Sequence, residues 1–140
     1  ILNPENAELN QLEGLKLALD RGYKNIAITI LPSPMVEEIR NYPVDDDVNV
    51  YIFVAHTTGV SPDDVEMLFE NADIITACAS KAISEYADEH KPYYYGVKVP
   101  IFCASDEGRK FLDIRLEHIG KPLTTKDYPR NKEDAPYKLI

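Results

Sequence analysis

The 140-residue sequence contains only two cysteines and no long uninterrupted apolar segment. Cys78 and Cys103 are too few for the disulfide framework of a small secreted domain, so reduced thiols and a cytoplasmic location are expected. No apolar run approaches the roughly 20 residues that span a bilayer, and no signal peptide is visible. The sequence begins at Ile1 rather than methionine, which predicts a processed chain or a domain excised from a longer protein.

Basic residues are also in short supply, with 15 Lys and Arg against 24 Asp and Glu, and they form no block or stripe. Binding to nucleic acid requires cations that neutralise phosphates, and anionic membranes make the same demand. Nucleic acid and membrane are therefore not expected as partners. The formal net charge of −9 indicates a soluble domain instead.

Several common site motifs are missing. No Gly-x-Gly-x-x-Gly follows a predicted strand and no Gly-x-x-x-x-Gly-Lys-Ser/Thr occurs, which disfavours dinucleotide and nucleoside-triphosphate sites of those types. There is no Gly-x-Ser-x-Gly nucleophile elbow. His56, Cys78 and Cys103 would offer metal ligands if they converged, but no Cys-x-x-Cys or His-x-x-x-His spacing supports a metal site. No cofactor, metal or catalytic residue is assigned, and whether the chain is an enzyme stays open.

Short β-branched apolar runs alternate with amphipathic helical patterns along the chain. The runs predict four strands, at residues 24–31, 48–55, 74–79 and 97–104. Strand–helix units joined by right-handed crossovers form a parallel sheet covered by helices. We therefore predict an α/β three-layer sandwich with a mainly parallel four-stranded sheet, in the order 2-1-3-4, and helices on both faces. Pro100 cannot donate to a ladder and predicts that the fourth strand lies at a sheet edge.

Residues 1–120 are predicted to form a Rossmann-like or flavodoxin-like domain. Residues 121–140 contain three prolines and no clear periodicity. We expect them to form an extended C-terminal arm, packed on its own domain or on a second subunit. This arm, with the tyrosines at 93–95, is the predicted contact of a homo-oligomer.

The predicted strand-to-helix loops share one feature, a serine at the start of each following helix. Ligands of open α/β sheets bind beyond the carboxyl ends of the strands, where these loops are predicted to meet. Ser33, Ser61, Ser80 and Ser105 are typical helix N-caps. Four helix N-termini at one edge would also favour an anionic group such as phosphate or carboxylate. The two interpretations are compatible for any one serine.

The candidate ligand-binding residues lie in three of these loops. The segment His-Thr-Thr-Gly at 56–59 offers an imidazole, two hydroxyls and a flexible backbone. Cys-Ala-Ser occurs at both 78–80 and 103–105, and a thiol beside a helix start can have a lowered pKa. A cysteine as a small core residue and a histidine bonded to backbone remain the structural alternatives. The predicted site comprises His56, Thr57, Thr58, Gly59, Cys78, Ser80, Lys81, Cys103 and Ser105.

Three strings in the sequence, Val54–Ser61, Ala72–Lys81 and Val99–Phe102, resemble the methanogenesis marker protein 8 family of methanogenic archaea. The strand Lys24–Ile30 and its preceding helix are also similar, so the resemblance covers most of the first 122 residues. It implies a cytoplasmic archaeal protein linked to methanogenesis, with members longer than this chain, but no activity and no catalytic residue. The expected function is binding of an anionic small molecule or cofactor at the carboxyl edge of the sheet. The alternative is a non-catalytic interaction or assembly domain of a larger protein.

Overall fold

The computed structural model describes residues 2–130 and 138–140, in which helices and strands alternate. Their bounds are α1 Gln11–Asp20, β1 Asn25–Ile30, α2 Met35–Arg40, β2 Asn49–Val54, α3 Pro62–Asn71, β3 Ile74–Thr76, α4 Lys81–His90, β4 Tyr94–Tyr95, β5 Ile101–Cys103 and α5 Asp106–His118. Ser61, Ser80 and Ser105 cap helices as predicted, each accepting a hydrogen bond from the backbone N–H three residues later. Ser33 does not, because α2 begins after Pro34 without a side-chain cap.

The five strands form one open sheet in the order β1-β2-β3-β5-β4. β1, β2 and β3 are parallel, whereas β5 runs antiparallel to both β3 and β4. The predicted order 2-1-3-4 is wrong, since β2 lies between β1 and β3, and the fourth predicted strand, β5, is not parallel. The reason is a hairpin: Tyr94–Tyr95 forms an unpredicted strand, and the short connection at 96–100 returns the chain in the opposite direction.

Two local features allow this hairpin. Gly96 has φ +92°, and a side chain there would lie 3.1 Å from the carbonyl oxygen of Val99. Pro100 precedes the ladder, and its carbonyl accepts a hydrogen bond from the N–H of Ala77 at 2.9 Å. The proline therefore does not mark a sheet edge, because β5 begins after it and lies between β3 and β4.

Four helices pack on one face of the sheet and one on the other. β1, β2 and β3 lie in chain order, so right-handed crossovers bring α2 and α3 to the same face. The main core on that face joins residues of α1 to α4 with alternate residues of the strands; they include Leu15, Ile28, Val36, Ile52, Leu68, Ile75, Ile83 and Phe102. On the opposite face, Leu112 and Leu116 of α5 pack with Cys103. The three parallel strands have their carboxyl ends at one edge of the sheet.

β1 is buried on one face only. Ile26, Ile28 and Ile30 are buried, whereas Ala27 and Thr29 between them are exposed. The predicted cover of helices on both faces of the sheet therefore does not extend to β1. Its open face is uncovered because α5 lies over the middle of the sheet, where Phe111 contacts the ring of Tyr51 at 4.7 Å between centroids.

Residues 121–130 of the predicted arm contact their own domain. Thr125 pairs with Tyr94 through two backbone hydrogen bonds of 3.0 Å, and Tyr128 donates its hydroxyl to the carbonyl of Pro92 at 2.9 Å. The buried guanidinium of Arg130 donates to the Ser84 hydroxyl. Residues 131–137 of the predicted arm lie outside the described residues. Within the described ranges, no helix has the length and apolar character needed to cross a membrane.

Candidate functional site

The loops after β2 and β3 are joined by two threonine hydroxyls at the carboxyl edge of the sheet. Thr57 is fully buried; its Oγ1 donates to the carbonyl of Thr76 at 2.9 Å and accepts from the N–H of Cys78 at 3.0 Å. Thr58 donates its hydroxyl to the carbonyl of Cys78. The structure therefore brings the His56–Gly59 segment and the Cys78–Lys81 segment together, and it uses both threonine hydroxyls to hold them.

A left-handed backbone conformation occurs at a non-glycine residue in each of these two loops. His56 has φ +58° and Ala79 has φ +52°. Each such residue costs about 1–2 kcal/mol relative to ordinary backbone geometry. The imidazole of His56 is exposed to solvent. The loops after β2 and β3 thus each contain a non-glycine residue in a backbone conformation that glycine usually adopts.

His56 borders an open cleft of about 400 Å³ on the side of β1. Its lining consists of Leu31, Pro32, His56, Thr58, Gly59, Val60, Ser61 and Asp64. Gly59 turns the loop with φ +74°, and Ser61 donates its hydroxyl to the carboxylate of Asp64 at 2.6 Å. The mixture of apolar side chains, imidazole and hydroxyl is suited to a small organic molecule with one polar group.

The two helices that start at this edge differ in charge. α3 begins with Asp63 and Asp64, which already compensate the positive end of its dipole. The first turn of α4 contains no acidic residue and begins with the exposed Lys81. Ser80 is buried there as the cap, and its hydroxyl accepts from the N–H of Ile83 at 3.3 Å. An anionic group is therefore favoured on the α4 side of the edge, next to the partly exposed Cys78.

Cys103 and Ser105 do not belong to this group. β5 is antiparallel, so Cys103 pairs with Ile74 at the amino end of β3, on the opposite edge of the sheet. The prediction that the fourth loop converges with the others is wrong for this reason. Burial raises the pKa of the Cys103 thiol to about 12, so it stays protonated at neutral pH. Cys103 is a core residue, which is the structural alternative that the sequence analysis gave for the cysteines.

Ser105 instead joins a buried carboxylate that sequence reasoning missed. Asp73 is 4% exposed and accepts from the Ser105 hydroxyl at 2.6 Å, from Arg40 Nη2 at 2.7 Å and from the N–H of Ile52 at 2.8 Å. Arg40 also donates to the backbone carbonyls of Val50 and Asn71. The sequence signal that could have indicated this network is the position of an aspartate directly before an apolar strand. Because every oxygen of Asp73 is paired, this network is structural.

Metal-ligating side chains do not cluster in the part of the chain that the structure describes. Among residues 2–130 and 138–140, no group of three or more His, Cys, Asp or Glu side chains is arranged to hold a metal ion. His56 and Cys78 share the carboxyl edge, but Cys103, the third candidate ligand, lies at the other edge.

Comparison with known proteins identifies similar sequences. A family model described as "Uncharacterized protein conserved in archaea (DUF2099)" matches residues 1–117. The chain is 31% identical over 141 residues to "Uncharacterized protein MJ0054" of Methanocaldococcus jannaschii. That alignment covers 100% of this chain and 49% of the relative, so the chain spans about half the length of the curated protein it matches. No solved structure matches the chain.

Proposed function

Because the chain belongs to this archaeal family of uncharacterised proteins, we propose a function from its own geometry: it binds a small anionic molecule or cofactor at the carboxyl edge of β1, β2 and β3. One observation carries the proposal, namely the left-handed backbone of both His56 and Ala79 at the ends of neighbouring strands. Such conformations persist where the surrounding structure enforces them, and they concentrate at ligand sites.

The charge distribution supports an anionic ligand. The first turn of α4 contains no acidic residue, so the positive end of its dipole attracts a phosphate or carboxylate. The exposed ammonium of Lys81, which lies 3.7 Å from the carboxylate of Glu85, adds positive charge there. The imidazole of His56 and the adjoining cleft would contact the remainder of the molecule. Ser80, Thr57 and Thr58 act by holding the loops, so their contribution to binding is indirect.

A link with methanogenesis is part of the same proposal. Two of the strings that resemble the methanogenesis marker family, Val54–Ser61 and Ala72–Lys81, contain the two loops of the candidate site. The compounds to be tested therefore include the coenzymes of methanogenesis, together with nucleotides and other phosphorylated or carboxylated molecules.

Replacing His56 with glycine is expected to raise stability while weakening binding. Glycine removes the left-handed backbone cost, which raises the free energy of unfolding by up to about 1 kcal/mol. It also removes the imidazole, so the affinity for a compound found in a thermal-shift screen should fall by about tenfold, as for the loss of one good hydrogen bond. Urea unfolding and isothermal titration calorimetry measure the two effects.

Lys91 provides a matched control, because its φ is +52° and it ends α4 far along the chain from His56. Lys91→Gly should raise stability in the same way and leave the affinity unchanged. If no compound of the panel shifts the melting temperature, or if His56→Gly binds as tightly as the wild type, the proposed site is wrong.

A second candidate function, assembly with a second copy of the chain, is favoured by the free edge of β1. No described strand pairs with β1 on the side away from β2. Natural edge strands are usually guarded by charge, proline or a bulge, but residues 25–30 contain no charge and no proline. A two-fold axis would pair two such strands and join their open faces. α5 packs on the same side of the sheet and contains the exposed apolar residues Phe111 and Ile114.

Sedimentation equilibrium at several concentrations tests this alternative. Ala27→Lys places a charge on the exposed face of the free edge strand and should weaken self-association by about tenfold or more. Leu123→Lys adds the same charge at an exposed apolar position of the predicted arm and should have no effect if β1, rather than the arm, forms the contact. A wild-type chain that stays monomeric at every concentration contradicts the assembly function.

A further inference from the structure

The last described residues return to the candidate site. Ile140 donates its N–H to the carbonyl of Ala79 at 3.0 Å, and the N–H of Lys81 donates to the carbonyl of Ile140 at 2.9 Å. Residues 138–140, which we call the C-terminal strap, therefore lie along the loop between β3 and α4. The strap contacts the one loop in which a partly exposed cysteine precedes the start of a helix without acidic residues.

The strap occupies a backbone donor that an anionic ligand would use. The first N–H groups of a helix have no partner within the helix and are the groups that bind anions. In α4, the hydroxyl of Ser80 accepts a hydrogen bond from the N–H of Ile83, and the carbonyl oxygen of Ile140 in the strap accepts one from the N–H of Lys81. A ligand and the strap cannot both accept from the N–H of Lys81.

The strap is held loosely. Two backbone hydrogen bonds of Ile140 join it to the loop, and Ile140 itself is 63% exposed. Lys138 and Leu139 border an open cleft of about 380 Å³ with Lys81, Ser84 and Glu85. The two lysines of this cleft, one of which pairs with Glu85 at 3.7 Å, place positive charge beside the N–H of Lys81.

We propose that the C-terminal strap is an autoinhibitory element that is bonded to the loop at Ala79 and Lys81 and leaves when the site binds its ligand. The proposal rests on the proposed function for its purpose, because it regulates that same site. Its structural basis, the hydrogen bonding of the strap to the loop, is independent of ligand identity. Access to the loop can therefore be measured in the absence of any ligand.

The experiment measures alkylation of Cys78 by iodoacetamide, with peptide mapping, in the full chain and in a chain that ends at residue 137. Cys78 precedes Ala79, which accepts one of the two strap hydrogen bonds. Removal of the strap frees this loop and is expected to accelerate modification of Cys78 by about 5- to 30-fold, the factor that corresponds to about 1–2 kcal/mol from two backbone hydrogen bonds. Hydrogen exchange of the Lys81 amide should accelerate as well, because the carbonyl of Ile140 is its partner. Ile140→Pro, which removes the donor to Ala79 and keeps the chain length, should show part of the effect.

Two internal references make the result specific. Cys103 is buried at the opposite edge, so its modification should stay slow in both chains. The amide of Ile83, which is bonded to Ser80, should exchange at the same rate in both. The proposal is overturned if Cys78 is alkylated at the same rate in both chains. It is also overturned if Cys103 is accelerated equally, because that would indicate general loosening of the domain. A failed ligand screen would overturn the proposed function alone, because the rate at Cys78 is measured without ligand.

Discussion

Replacing Asp73 with alanine is expected to lower the free energy of unfolding by about 3 kcal/mol, the lower end of the range for breaking a buried ion pair, because the side chain of Arg40 is partly exposed. The substitution leaves the Arg40 guanidinium without its carboxylate, and it leaves the N–H of Ile52 and the hydroxyl of Ser105 without acceptors. The N–H of Ile52 is buried, so water does not readily replace its acceptor, whereas the side chain of Arg40 is 31% exposed and keeps two backbone acceptors. Urea denaturation followed by circular dichroism measures the change.

Asp47→Ala is the control for this experiment. Asp47 also forms an ion pair, with Lys24 at 2.9 Å, but its side chain is largely exposed. Exposed pairs contribute little because water screens them, so this variant should change stability far less than Asp73→Ala. Equal losses in the two variants would mean that the Asp73 network does not have the structural role that its burial indicates.

Replacing Gly108 with alanine is expected to lower the free energy of unfolding by at least about 2 kcal/mol, because overpacking outweighs the helix propensity that alanine gains. An added Cβ would lie 1.9 Å from the carbonyl oxygen of Asp73 and 2.7 Å from its carbon. Both neighbours are backbone atoms, so α5 would have to move away from β3. Thermal and urea unfolding report the loss.

Gly14→Ala is the matched substitution, since Gly14 is also in a helix and nothing lies within 4 Å of an added Cβ there. It should raise stability by about 0.5–1 kcal/mol through helix propensity alone. The two glycine variants are thus expected to change stability in opposite directions. If Gly108→Ala were as stabilising as Gly14→Ala, the close packing of α5 on β3 would be wrong.

Local sequence signals predict the start of α3 correctly, but they do not predict where Cys103 lies in the sheet. The start of α3 was readable because Ser61, Pro62 and the following aspartates are local signals for a helix N-terminus. The location of Cys103 was not readable, although its Cys-Ala-Ser repeats that of Cys78. Identical tripeptides come to opposite edges because one follows a parallel strand and the other an antiparallel strand.

The roles of the threonines show the same limit at shorter range. The His-Thr-Thr-Gly segment was recognisable as unusual, and the structure places it at the predicted edge. The sequence could not tell that Thr57 is fully buried and bonded to the neighbouring strand, because its partners at Thr76 and Cys78 are some 20 residues away. A hydroxyl that is ready to bind ligand and one that joins two loops look alike in a sequence.

By itself, the sequence determined the elements of this protein: where most helices begin, which runs become strands, and that a charged, acidic chain folds as a mixed α/β domain. Caps, periodicity and turn residues act over a few neighbours, so they can be read locally. Only the tertiary structure decided the strand order, the reversed direction of β5 and the pairing of Asp73 with Arg40. These depend on contacts between distant residues, and those contacts assigned Cys78 to the candidate site and Cys103 to the core.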